Sequence, residues 1–201
     1  MPSKIVCIGR NYPAHASELG NPLPGEPLIF FKPPSAMVAS GESIVLPHES
    51  SRVEYEGEIG VVIGRRLRDV GEREAATAIA GLVAVNDVTA RDLQKKDGQW
   101  ARAKGFDTFC PVGTMSTEAP QLDRIEVVTR VNGEERQRGL SSEMAFPIPY
   151  LVSYVSRIMT LEPGDILATG TPAGVGPLKP GDVVEVEVVG HSMVRNPVIA
   201  R

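Results

Sequence analysis

Apolar residues fall in short runs, each closed by proline, glycine or a polar pair, and this punctuation predicts many short strands. Residues 4–9, 28–32 and 43–46 are three such runs, the last two ended by Pro33-Pro34 and Pro47. Residues 81–88 form another, ending in the polar Asn86-Asp87. Residues 125–131 and 135–138 flank Asn132-Gly133, the strongest hairpin signal in the chain. Pro163-Gly164 leads into a strand over 165–169, Pro180-Gly181 into one over 182–189, and a last strand covers 193–199.

Helical periodicity is rarer. Apolar residues at 151, 152, 155, 158 and 159 predict a helix over 149–160. The Ala-rich stretch 72–80, acidic at its start, predicts a second. Residues 14–19 make a brief helical turn, broken by Gly20-Asn21-Pro22-Leu23-Pro24-Gly25. Thr89 is placed to cap a turn over 90–94, and the polar residues 95–99 read as a loop. The result is one β-rich α+β domain over residues 1–201, with few short helices and a candidate lid over 10–27.

One stretch departs from the apolar pattern. In Val53-Glu54-Tyr55-Glu56-Gly57-Glu58 three carboxylates alternate and then run into the apolar Ile59-Gly60-Val61-Val62-Ile63. Alternate residues of a continuous strand share a face, so Glu54, Glu56 and Glu58 are expected to line one face together. A hard divalent cation is the simplest way to neutralise them; a solvated acidic edge strand is the plain alternative. Asp87, at the end of its strand, could add a further carboxylate, or could merely shape the turn.

Composition narrows the partners. The chain has 201 residues, 42% apolar and 23% charged, enough for one sizeable core. A net charge of −4 argues against nucleic acid or an anionic membrane as partner. No apolar run approaches the roughly 18 residues of a membrane span. The short apolar start predicts no signal peptide, and Cys7 and Cys110, far apart in apolar contexts, are expected to be buried free thiols of a cytoplasmic protein.

Four motifs together carry a family resemblance. They are Glu56-Gly57-Glu58-Ile59-Gly60-Val61-Val62-Ile63-Gly64, Asn86-Asp87-Val88-Thr89-Ala90-Arg91-Asp92-Leu93-Gln94, Ala103-Lys104-Gly105-Phe106-Asp107-Thr108-Phe109-Cys110-Pro111, and Gly164-Asp165-Ile166-Leu167-Ala168-Thr169-Gly170-Thr171-Pro172-Ala173-Gly174-Val175-Gly176. Their order and spacing resemble the fumarylacetoacetate hydrolase family from Val6 to the last strand. The short length and His15-x-x-Glu18 are similar to its acylpyruvate hydrolase/oxaloacetate decarboxylase branch, that of fumarylacetoacetate hydrolase domain-containing protein 1. The long N-terminal domain of the classical fumarylacetoacetase has no counterpart.

The resemblance implies a mixed β-sandwich roll, usually a homodimer. It implies Mg²⁺ (or Mn²⁺) on Glu56, Glu58 and Asp87, with Gln94 and Lys104 at the substrate's oxo-acid end. Thr171 would bind the carboxylate, Arg91 is a further substrate-binding candidate, and His15 with Glu18 would form a catalytic dyad on the lid. The residue chemistry agrees. His15 and Glu18 are three apart and share a helical face, and a carboxylate beside an imidazole raises its basicity towards water. The plain alternative is a surface histidine beside a surface glutamate. Lys104 near a cation could stabilise a developing enolate; otherwise it is a surface lysine. The Gly-rich turn 170–176 lacks the Gly-Lys-Ser/Thr ending of a phosphate loop, and a backbone cradle for a carboxylate suits it better.

The reaction expected is cleavage of a small 2,4-dioxo acid such as acetylpyruvate or fumarylpyruvate. Water activated by His15 attacks C4, the C3–C4 bond breaks, and pyruvate leaves as its enolate. Decarboxylation or tautomerisation of oxaloacetate passes through the same enolate. The alternatives are a 2-hydroxyhepta-2,4-diene-1,7-dioate isomerase, a 2-oxopent-4-enoate hydratase, or a non-catalytic metal-stabilised binding or dimerisation module. Three positions depart from the branch pattern: Glu54 where His or Asp is more usual, Gly105 for Ser, and Thr114 for Pro. Glu54 is therefore open to touching a metal-bound water or the lid, and residues 20–26 are expected to select the acyl group.

Overall fold

A computed structural model describes residues 1–118 and 121–201. In its first half, β1 (Ile5–Gly9), α1 (Pro13–Glu18), β2 (Leu28–Lys32), β3 (Met37–Val38) and β4 (Ile44–Leu46) lead to β5 (Val53–Tyr55) and β6 (Gly57–Ile63). Then come α2 (Glu72–Thr77), β7 (Ile79–Asn86), β8 (Thr89–Ala90), α3 (Arg91–Asp97), α4 (Ala101–Lys104) and β9 (Cys110–Pro111). The second half holds β10 (Glu126–Val131), β11 (Glu134–Leu140), α5 (Ile148–Ile158), β12 (Ile166–Ala168), β13 (Gly176–Pro177), β14 (Val183–Val188) and β15 (Ser192–Ala200).

Two five-stranded sheets dominate, ordered β2-β1-β12-β6-β7 and β11-β10-β14-β15-β4. Val6, Ile59 and Val61 of the first meet Val127, Val186 and Val194 of the second, and this shared core is closed by Leu151, Val152 and Val155 of α5. The alternation of β14, half-buried Val183, Glu185 and Glu187 against buried Val184, Val186 and Val188, is the pattern of a strand with one face in a core. Asn132 and Gly133 both take positive φ (55° and 80°), as the tight β10–β11 turn requires.

In α5 the buried apolar positions are Ile148, Leu151, Val152 and Val155, one helical face, whereas Ile158 is 56% exposed, outside the face predicted for it. Burying each of these aliphatic side chains contributes about 1.5–3 kcal/mol. That outweighs the few tenths of a kcal/mol by which valine disfavours helix.

Three local expectations need correction. The polar residues 95–97 are helical, because α3 runs on to Asp97. Thr89 does not cap it; its hydroxyl donates to the Asp87 carbonyl (2.9 Å). The acidic stretch 53–64 is not one strand but β5 and β6, in different sheets and separated by Glu56. Cys7 and Cys110 are buried free thiols, as expected, and burial pushes the Cys110 thiol up to about 12. Among the described residues no helix is long and apolar enough to cross a membrane.

Candidate active site

The break at Glu56 creates the site. β5 pairs with β8 and β13, while β6 pairs with β7 and β12. Gly57 starts β6 so close to β10 that a Cβ there would lie 1.9 Å from the Thr129 hydroxyl oxygen, so only glycine fits. Two bonds clamp the ends of β6 and β7: the Glu56 N–H donates to Asn86 Oδ1 (3.1 Å) and the Asp87 N–H donates to the Glu56 carbonyl (2.8 Å). This brings carboxylate oxygens of Glu56, Glu58 and Asp87 within 4.8 Å of one another, all buried.

Glu54 is turned elsewhere. It accepts hydrogen bonds from Arg91 Nε (2.7 Å) and Arg52 Nε (2.6 Å), so the expected face of three glutamates does not form. The strand break is the reason. Its carboxylate instead steadies Arg91, whose Nη2 bonds Glu56 and whose Nη1 donates to Gln94 Oε1 (2.6 Å).

Two buried lysines border the carboxylates. Lys104, on α4, donates to Glu56 Oε2 (2.7 Å) and Asp87 Oδ2 (2.5 Å), and its ammonium lies 4.8 Å from the centroid of the Phe30 ring. It is therefore not a surface lysine. Lys32, which sequence reasoning overlooked, donates to Asp87 Oδ1 (2.7 Å) and the Val88 carbonyl (2.9 Å). A charged residue closing the apolar run Leu28-Ile29-Phe30-Phe31 was its one visible signal.

These contacts set the protonation of the cluster. Burial opposes ionisation of Glu56, but Lys104 and Arg91 hold its carboxyl below the usual range. For Lys104, burial is outweighed by Asp87 and Glu56, and its pKa is raised. Glu58 goes the other way. Burial, then the like charges of Asp87 and Glu56, push it well above the ordinary carboxylate value. Among the described residues its side chain accepts only the Gly170 N–H (2.8 Å) and has no basic partner. A buried cluster of hard oxygen donors, one lacking a counter-charge, suits a divalent cation such as Mg²⁺ or Mn²⁺.

The other candidates surround this cluster. Gly170, at φ +104°, turns the chain so that Thr171 faces the site; a Cβ at 170 would meet Asn11 Cβ at 2.8 Å. The Thr171 hydroxyl donates to the Gly57 carbonyl (2.9 Å) and accepts from Gln137 Nε2 (2.7 Å). Gln137, a second overlooked residue, is buried in a strand whose neighbours Arg136 and Arg138 are exposed. His15 is buried, with Nδ1 3.3 Å from Glu18 Oε2. Glu18 also accepts the Gly174 N–H (3.0 and 3.2 Å), which ties α1 to the Gly-rich turn. One cavity of about 50 Å³ is lined by every candidate except Glu18, which reaches it through His15.

Residues 4–199 match the family described as fumarylacetoacetate (FAA) hydrolase C-terminal. The chain belongs to the fumarylacetoacetate hydrolase family. Among relatives of this family, it is 46% identical over 199 residues to the oxaloacetate tautomerase FAHD1, mitochondrial, of Arabidopsis thaliana, covering 96% of this chain and 89% of that one. To the mitochondrial oxaloacetate decarboxylase of Dictyostelium discoideum it is 42% identical over 194 residues, covering 93% and 89%. These relatives fall in the branch that the short length and His15-x-x-Glu18 indicated. The crystal structure of 5-carboxymethyl-2-hydroxymuconate delta-isomerase from Mycobacterium smegmatis superposes with a TM-score of 0.92 at 46% identity, covering all of this chain and 80% of that one.

Proposed function

We propose that this chain is a divalent-metal-dependent enzyme that cleaves the C–C bond of acylpyruvates, 2,4-dioxo acids such as acetylpyruvate or fumarylpyruvate. The products are pyruvate and a carboxylic acid. The observation that carries the reading is the shared wall of one cavity: three buried carboxylates and Lys104 together with a buried His15 backed by Glu18. Glu56, Glu58 and Asp87 would hold Mg²⁺ or Mn²⁺, which when bound supplies a Lewis acid for the oxygens of the oxo acid.

The chain's own groups supply the rest. With the Nδ1 proton donated to Glu18, His15 Nε2 keeps its lone pair and can take a proton from water. That water adds to C4 of the substrate, and the C3–C4 bond breaks. The electron pair of that bond goes to C3, and the pyruvate fragment departs as its enolate. The Lys104 ammonium, fixed by Glu56 and Asp87, faces the negative charge that develops on the enolate oxygen. Thr171 and Gln94 border the same cavity and can receive the substrate's carboxylate and oxo group.

Oxaloacetate offers a second use of the site. Loss of CO₂, or proton transfer at C3, reaches a comparable enolate without added water. Relatives named oxaloacetate decarboxylase and oxaloacetate tautomerase favour this reading as a second activity. We place the protein in the cytoplasm as a homodimer.

The test is steady-state turnover of acetylpyruvate, fumarylpyruvate and oxaloacetate with Mg²⁺, with Mn²⁺ and with EDTA. Metal-dependent release of pyruvate from an acylpyruvate supports the hydrolase. Turnover of oxaloacetate alone replaces it with the decarboxylase or tautomerase. Inertness towards all three overturns both.

A further inference from the structure

The cavity lined by the carboxylates is small. At about 50 Å³ it has room for a handful of water-sized groups, allowing roughly 10–15 Å³ for each. It accommodates the head of a substrate but not an extended tail. A second cavity of about 210 Å³ adjoins it, and the two share Arg10, Leu19, Asn21, Arg91, Gln94 and Trp100 as walls. A tail leaving the inner chamber between these residues enters the outer one.

The outer cavity has a marked charge bias. Arg10, Arg52, Arg91 and Lys95 line it, and among the described residues no carboxylate does. Arg52 and Arg91 are engaged by Glu54 and Glu56. Arg10 and Lys95 make no side-chain hydrogen bond or ion pair with any described residue. The region therefore carries cationic donors with nothing negative to receive them.

Arg10 is also held in place. It has φ +57°, a left-handed conformation that costs a non-glycine residue about 1 kcal/mol or more. The next residue, Asn11, fixes that backbone. Its Nδ2 donates to the Thr169 carbonyl (2.8 Å), its Oδ1 accepts the Phe146 N–H (2.9 Å), and its carbonyl accepts the Ala145 N–H (2.7 Å). The strained backbone sets Arg10 where inner chamber and outer cavity meet.

We infer that the outer cavity is an anion subsite in which Arg10 and Lys95 bind a second carboxylate at the far end of the substrate. The inference rests on the oxo-acid reading of the inner site and deepens it: the preferred substrates are 2-oxo or 2,4-dioxo dicarboxylates, with an uncharged tail disfavoured. Arg10 and Lys95 are specificity-determining residues and take no part in bond breaking.

Calorimetric titration of the Mg²⁺-loaded protein tests this without turnover. Three probes suffice: oxalate, which fills only the inner chamber, and the matched pair 2-oxohexanoate and 2-oxoadipate, which differ by the distal carboxylate. The expected result is that 2-oxoadipate binds about tenfold or more tightly than 2-oxohexanoate, a gap that added salt narrows. In Arg10→Gln/Lys95→Gln the gap should shrink to about twofold, and Arg10→Lys should keep most of it. Oxalate binding with equal affinity for the matched pair overturns the subsite alone. So does a gap that persists in the double variant. Failure of oxalate to bind overturns the oxo-acid reading and the subsite with it.

Discussion

Lys32 Nζ sits 2.7 Å from Asp87 Oδ1, with both side chains fully removed from solvent. Lys104 grips the other oxygen of the same carboxylate at 2.5 Å. Asp87 is thus held between two ammonium groups, and only one of them, Lys104, borders the cavity.

Removing Lys32 should therefore act on stability. Lys32→Met leaves one Asp87 oxygen buried without its counter-charge, and breaking such a pair costs about 3–5 kcal/mol. Chemical denaturation of the metal-free variant should show a loss of this size, partly restored by saturating Mg²⁺. A loss that Mg²⁺ leaves untouched would separate Asp87 from the proposed cation site.

Glu56→Gln tests the shared-site scheme. It keeps the side-chain volume and removes the charge that meets both Lys104 and Arg91. Hydrolysis, decarboxylation and tautomerisation should fall together, by about a thousandfold, since Lewis-acid assistance is worth several kcal/mol. Survival of any one of the three would show that it does not use this cluster.

His15→Ala should split the activities. A positioned base is worth about 10²–10⁴-fold, so acylpyruvate hydrolysis should fall by that amount. Decarboxylation of oxaloacetate, which needs no activated water, should change far less. Equal losses measured on acetylpyruvate and oxaloacetate would remove His15 from water activation.

Glu58 gives a pH signature. Its folded pKa lies above the ordinary 4.5, so between those two values the folded, metal-free protein holds a proton that the unfolded chain has lost. Stability contributed by Glu58 is complete below about pH 4.5 and declines as pH rises towards the folded pKa. Metal-free Glu58→Gln should lack that decline, so its melting temperature relative to the parent should rise with pH. Parallel melting curves across pH 4–8 would contradict the assignment.

Much of this was legible because it depends on short-range pattern. Alternation and turn residues disclosed the β10–β11 hairpin and the C-terminal strands, and the spacing of Glu56 and Glu58 disclosed two members of the carboxylate cluster. What escaped depends on contacts far along the chain. Lys32 and Asp87 are distant in sequence, and the apolar run that Lys32 closes does not show which carboxylate it meets. Gln137 sits among charged residues that read as a solvated strand, yet it accepts the Gly57 N–H (2.9 Å) and positions Thr171. Glu54 leaves the face expected for it because the strand is not continuous: the crowding of Gly57 against Thr129 accompanies a change of sheet.

The clamp between Glu56 and Asp87 includes a bond made by the main chain alone, and the register of β6 on β7 continues from Gly57 opposite Asn86. Arg10 lies just past the end of β1, and Lys95 on the short helix α3. The frame that gathers the carboxylates is thus independent of the side chains proposed to read the substrate's tail. In evolutionary terms the two can be edited separately. A lineage can exchange Arg10 or Lys95, and with them its choice of substrate, while inheriting the carboxylate cluster intact.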